Sequence, residues 1–179
     1  HELDLMSDQI PAEQLDAAWC RWVASFMSSP ARLLEKLAGA IRPGGVVVFH
    51  EYVNYSTWRL LPSSAAHEQF VQKVMESWRA SGGEPDIAIV LPTLLAEAGF
   101  QVRSAVPKVF CVSPADEMWQ WPASFLDVNL KRLLELGLVD ENWVASVRRD
   151  FRAAASNPRS LFVTPMVLEI IADRTAHGS

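Results

Sequence analysis

The sequence predicts an α/β fold, a largely parallel sheet between helices, on three observations. Amphipathic helical stretches alternate along the chain with short apolar, β-branched ones. The run Val46-Val47-Val48-Phe49 is apolar at every position instead of every second one, which predicts a strand covered on both faces. Clusters of serine, proline and glycine punctuate the segments, at Ser28-Ser29-Pro30, Arg42-Pro43-Gly44-Gly45 and Ser81-Gly82-Gly83.

Taken in order, Glu2-Leu3-Asp4-Leu5-Met6 alternates polar and apolar and predicts a strand, and Leu15 to Val23 is a second apolar, aromatic segment. A serine cap with proline at the first helical position predicts a helix from Pro30, with Leu33, Leu34, Leu37 and Ile41 on one stripe. The Pro43-Gly44-Gly45 turn stops it and leads into the strand at Val46. A helix over 65–80 carries Phe70, Val71, Val74, Met75 and Trp78 on one face, and a shorter one from Pro92 uses Leu94, Leu95 and Ala98 before Gly99. Phe100 to Val112 reads as strand, bent or ended in part by Pro107. Over 114–157 the pattern changes to a helical insertion of two helices, one with Phe125, Leu126, Leu130, Leu133 and Leu134, the other with Trp143, Val144, Val147 and Phe151. A last strand is predicted over 161–172, and the small, polar tail Thr175-Ala176-His177-Gly178-Ser179 is expected to fray.

With 179 residues, half of them apolar, the chain has material for one domain with a buried core. A net charge of −5 without a block of lysines or arginines argues against nucleic acid and anionic membranes as partners. The longest apolar runs fall far short of the roughly 20 residues that cross a bilayer, and no basic-then-apolar leader opens the sequence, so a cytoplasmic protein is expected. Cys20 and Cys111 sit in apolar neighbourhoods and are expected to be small buried hydrophobes in a reducing compartment. There is no metal-ligand spacing, no Gly-x-Ser-x-Gly elbow and no phosphate loop, which leaves metal, hydrolase and nucleotide-triphosphatase readings unsupported.

Three features in order resemble the class I S-adenosylmethionine (SAM)-dependent methyltransferases. Leu37 to Val48, with its Pro-Gly-Gly turn, resembles the helix, turn and fifth strand of that family. Leu15-Asp16-Ala17-Ala18-Trp19 resembles its fourth strand, and Leu91 to Phe100 resembles the helix and glycine-phenylalanine entry into its sixth. The resemblance implies an incomplete Rossmann-like sheet, mostly parallel with an antiparallel final strand. It covers the family's later two-thirds, and the first strand, the Gly-x-Gly-x-Gly loop and the acidic end of the second strand are expected to precede residue 1. Residues 1 to 10, at the place of the family's third strand, are then expected to be loose or rearranged. The fourth strand is expected to become a bare apolar edge through which two or more chains associate, strand to strand or by the faces of Trp19 and Trp22.

The resemblance also implies where chemistry sits. Asp4 would face the adenine amino group of SAM and Leu5 its ring, while Trp19, Cys20 and Arg21 would lie beside its methionine end, with Trp22 toward the acceptor. A tryptophan face near a sulfonium is favourable by about 0.5–2 kcal/mol, although a tryptophan such as Trp19 also serves as plain core. His50, Glu51, Tyr52, Tyr55 and Trp58 follow the fifth strand, where open α/β sheets bind ligands. His50 or Glu51 is a candidate general base; alternatively His50 completes the strand and Glu51 meets a backbone amide or Arg59. Trp119 and Trp121 open the helical insertion, as a lid over a small aromatic or apolar acceptor or as packing anchors. Two functions compete: a SAM-dependent methyltransferase acting on a small organic acceptor, and a non-catalytic truncated fragment or small-molecule-binding, self-associating module.

Overall fold

The computed structural model describes residues 2–176; His1 and most of the tail expected to fray, 177–179, lie outside them. In chain order the described residues form β1 (Leu15–Arg21), α1 (Pro30–Ala40), β2 (Ile41–Asn54), β3 (Arg59–Leu61), α2 (Ala65–Ala80), α3 (Leu91–Glu97), β4 (Phe100–Lys108), β5 (Cys111–Val112), α4 (Gln120–Glu135), α5 (Glu141–Ala155), β6 (Leu161–Val163) and β7 (Met166–Arg174). They divide into two compact units, one of residues 2–53, 82–108 and 167–176, the other of 54–81 and 109–166.

The first unit holds a four-stranded sheet in the order β1-β2-β7-β4. β1 and β2 are parallel and β7 runs antiparallel to β4, the mostly parallel sheet with an antiparallel final strand that the resemblance implies. Pro30 opens α1, and Leu33, Leu34 and Leu37 at helical spacing bury against Val47 and Phe49 of β2 and Ile170 of β7. From α3, Leu91 and Leu95, one turn apart, enter the same core. Each such side chain withdrawn from water contributes about 1.5–3 kcal/mol.

Several expectations need correction. The alternating start makes no strand. The Asp4 carboxylate accepts the Met6 amide at 2.8 Å, and the Asp4 carbonyl accepts those of Ser7 and Asp8, closing a turn. Lys36 of α1 donates to the Leu5 and Asp8 carbonyls, both at 2.7 Å, while Leu5, Met6 and Ile10 rest on the core, so the segment is rearranged as a turn against a helix. β2 begins at Ile41, directly after the helix, and only one of its faces is fully covered: Val47 and Phe49 are wholly buried, Val46 and Val48 half-buried. On that second face the neighbouring Trp19 is 63% exposed.

Pro107 still pairs with Leu168 in β4, an edge strand that ends one residue later, so the strand predicted over 100–112 divides into β4 and β5 in different sheets. The predicted last strand divides at Thr164-Pro165 into β6 and β7, which belong to different sheets. Cys20 is half-buried against the core, but Cys111 is exposed.

The second unit packs α2, α4 and α5 with a three-stranded sheet ordered β3-β6-β5, antiparallel throughout. Ser64 caps α2 by accepting the His67 amide at 3.1 Å, and Asp140 caps α5 by accepting that of Trp143 at 2.7 Å. Trp58 meets the rings of His67, Phe70, Phe125 and Phe162 edge-on, at centroid distances of 5.3, 5.3, 5.5 and 5.9 Å.

Candidate functional site

The parallel register sets Trp19 opposite Val48, Cys20 opposite Phe49 and Arg21 opposite His50. Alternation along the strands then puts Trp19, Arg21 and His50 on one face of the sheet. The adjacent Glu51 goes to the other face and is wholly buried. The two candidate bases therefore meet different surroundings.

His50 is held from both sides. Its Nε2 lies 2.9 Å from Glu169 Oε2 of β7, and the Trp19 indole N–H donates to its Nδ1 at 3.4 Å. Lys108 Nζ approaches the other Glu169 oxygen at 3.3 Å. The hydrogen bonds from His50 and Lys108 hold the Glu169 carboxyl below the usual range. Glu169 and Lys108 were not singled out from the sequence. The signal was there in part, since Glu169 is the one charge within the apolar run Val167-Leu168-Glu169-Ile170-Ile171.

Glu51 anchors the chain after β1. Oε1 accepts the Val23 and Ala24 amides at 2.7 and 2.9 Å, and Oε2 accepts that of Ser25 at 3.4 Å. Burial raises its carboxyl above 4.5, while these donors pull it down. The residue before this segment, Trp22, has φ of +54°, a left-handed conformation costly for an aromatic side chain. Its N–H donates to the His50 carbonyl at 3.0 Å. Its ring stacks on Tyr52 at 5.8 Å with 9° between planes, and the Arg21 guanidinium sits 4.0 Å from its centroid. Burial pushes the Tyr52 hydroxyl up, and burial followed by the Glu51 charge pushes the Cys20 thiol up to about 11, so both stay protonated near neutrality.

The remaining candidates lie elsewhere. Asp4 is engaged by its own turn, and Leu5 gives its carbonyl to Lys36. Tyr55, Trp58 and Trp119 are at most 4% exposed in the second unit, with Trp58 and Trp119 both against Phe162, and Trp121 is half-buried. A cleft of about 620 Å³ in the first unit is lined by Met6, Ile10, Arg32, Lys36, Gly39 and others. Gly39 and Ala40 immediately precede β2, so this cleft lies toward the opposite end of the sheet from His50. Among the described residues no cluster of His, Cys, Asp and Glu could hold a metal ion, and no helix is long and apolar enough to cross a membrane.

No protein-family model matches the chain, and no curated protein matches it significantly. Solved structures do. A candidate methyltransferase from Bacillus halodurans C-125 aligns with 97% of this chain and 76% of its own, at 12% identity and a TM-score of 0.55. A candidate sarcosine dimethylglycine methyltransferase from Galdieria sulphuraria aligns with 96% of this chain and 57% of its own, at 11% identity and a TM-score of 0.51. The [4+2]-cyclase SpnF aligns with 97% of this chain and 56% of its own, at 18% identity and a TM-score of 0.49. The chain has the class I methyltransferase fold and spans between about half and three-quarters of these structures.

That fold implies SAM, and the described residues do not by themselves fit it. The Asp4 carboxylate is occupied by its turn, and of the positive-φ glycines Gly44 lies among the first residues of β2, Gly82 follows α2, Gly99 precedes β4 and Gly137 follows α4. Among the described residues none lies in the loop directly after β1, so no glycine cradle adjoins the His50 cluster there.

Proposed function

We propose that the chain serves the transfer of a methyl group from SAM to a small organic acceptor, with its described residues furnishing the acceptor side. The observation that carries this reading is the cluster of Trp19, Arg21, His50, Lys108 and Glu169 at one sheet face, toward the carboxyl ends of β1 and β2, in a methyltransferase fold. A histidine held between a carboxylate and an indole suits proton removal from an acceptor. Arg21 over Trp22 adds a cation beside an aromatic surface, which suits an acceptor that is aromatic or carries negative charge.

Isothermal titration calorimetry of the chain with SAM and S-adenosylhomocysteine, at concentrations that reveal even ~100 μM affinity, tests the reading. Saturable binding supports it. Absence of heat overturns it for this chain and leaves the second reading, a self-associating or small-molecule-binding module. That reading is favoured by one observation, the exposed Trp19 on the edge strand β1.

A further inference from the structure

We propose that Glu169 and Trp19 hold His50 as a single tautomer with its lone pair on Nδ1, and that this nitrogen accepts the proton of a protic ligand, a phenol, alcohol or amine. Glu169 is then a positioning residue, and Trp19 a gate over the accepting atom.

The tautomer follows from what each neighbour can do. An indole N–H only donates, so the Trp19 contact at 3.4 Å requires an unprotonated Nδ1. A neutral imidazole carries one proton, which therefore sits on Nε2 and points at Glu169 Oε2, 2.9 Å away. Lys108 on the other oxygen of Glu169 keeps the carboxylate from turning aside.

The gate follows from exposure and distance. At 3.4 Å the Trp19 bond is long, and the side chain is 63% exposed, so moving it aside costs little. A ligand O–H or N–H that replaces the indole meets the Nδ1 lone pair. When the proton transfers, it leaves the ligand oxygen or nitrogen and joins Nδ1, while Nε2 keeps its own. The ligand retains the electron pair, and the imidazolium charge faces the Glu169 carboxylate.

The other groups packed there do not compete. Arg21, opposite His50 in register, and Lys108 are donors only. Glu51 is turned to the interior with both oxygens on backbone amides, and the Tyr52 hydroxyl and Cys20 thiol stay protonated. A ligand without a transferable proton gains nothing from this arrangement.

The choice of a protic acceptor rests on the methyl-transfer reading, but the tautomer does not, and the test keeps them apart. Long-range ¹H–¹⁵N NMR on the full chain labelled at histidine reads the His50 tautomer without cofactor or acceptor, with His67 as an internal control of folding. Expected are an Nε2–H tautomer in the parent chain, its retention in Glu169→Gln, which keeps an acceptor oxygen, and its averaging in Glu169→Leu. If Glu169→Leu does not fold, Trp19→Ala serves: it should keep the tautomer and shift Nδ1 alone. Millimolar phenol should then move Nδ1 in Trp19→Ala more than in the parent chain, while anisole, which has no proton to give, should not. An Nδ1–H tautomer in the parent chain, an unchanged spectrum in a folded Glu169→Leu, or equal responses to phenol and anisole would each overturn the proposal. A chain that passes these tests and binds no SAM overturns the methyl-transfer reading instead.

Discussion

The Ala24 amide donates to Glu51 Oε1 at 2.9 Å, and neither residue has any contact with solvent. With Val23 and Ser25 on the same carboxylate, this bond fixes the backbone where β1 leaves the sheet, immediately after Trp19, Arg21 and Trp22. Glu51 thus shapes the cluster around His50 without facing it.

Replacing Glu51 with leucine leaves the three amides without their acceptor. Each buried donor left unsatisfied costs about 1–3 kcal/mol, so Glu51→Leu should lose about 3 kcal/mol or more in chemical denaturation, and Glu51→Gln, which keeps an oxygen, less. Because burial raises the folded carboxyl above its ordinary 4.5, the unfolded chain gives up this proton first. The stability Glu51 contributes is fully present below about pH 4.5 and declines as pH rises through the folded midpoint. The advantage of the parent chain over Glu51→Gln should therefore shrink from pH 4 to pH 7, and an advantage that grows would refute the assignment.

His67 makes the opposite case. It is 1% exposed among Trp58, Phe70, Phe151 and Phe162, and neither ring nitrogen has a hydrogen-bond partner among the described residues. Burial lowers its pKa from 6.5 to about 4. The stability it contributes is present above pH 6.5 and is lost, by about 3 kcal/mol, as pH falls through about 4. His67→Phe should flatten the fall in Tm between pH 6.5 and 4 and leave the Tm at pH 7 equal or higher; an unchanged slope would place the acid sensitivity elsewhere.

Gly99 and Gly137 separate two costs of a side chain. Both have positive φ, +81° and +68°, but a Cβ at Gly99 would fall on Arg174 Nη1, whereas one at Gly137 meets nothing within 4 Å. Arg174 is committed there, donating from Nη1 to the Gly99 carbonyl at 2.7 Å and from Nε to the Ala38 carbonyl at 3.1 Å. Gly137→Ala should cost the left-handed penalty alone, about 1–2 kcal/mol, and Gly99→Ala clearly more. Equal losses in urea denaturation would mean that Arg174 moves aside freely.

The helices were legible because each declares itself twice, by period and by punctuation. Pro30 opens the stripe Leu33, Leu34 and Leu37, and Gly99 at positive φ follows that of Leu94, Leu95 and Ala98, of which Leu95, with Leu91, is the part fully buried. Glu2 to Met6 misled because alternation is also what a turn around an aspartate shows, and β1 is the sheet edge among the described residues. The single last strand ignored Pro165, which marks the break between β6 and β7. At the candidate site, register along β1 and β2 accounts for Trp19, Arg21 and His50 sharing a face, but Glu169 reaches His50 from 119 residues away, a pairing no local pattern carries. Tyr55 and Trp58 read as pocket aromatics from their place after a strand, which says nothing of burial; both are core in the second unit, where Trp119 is buried as the packing anchor that was the alternative to a lid.

The proposed self-association rests on β1. Among the described residues its one neighbour in the sheet order is β2, so the N–H and C=O groups along its outer side meet no strand of those residues, an arrangement proteins seldom leave open. Trp19 adds a large apolar surface, whereas Trp22, stacked on Tyr52 and half-buried, is less available than the sequence implies. Strand-to-strand pairing with a second copy would place two β1 strands side by side about a two-fold axis. Light scattering at micromolar concentration should then report a dimer or larger species. Ala17→Lys tests the edge without touching His50: Ala17 is exposed on β1, and a lysine there sets like charges near one another across the axis. It should shift the assembly toward monomer with no loss of helix content in circular dichroism. A parent chain that scatters as a monomer removes the proposal, and with it the reason for Trp19 to be anything but the gate over His50.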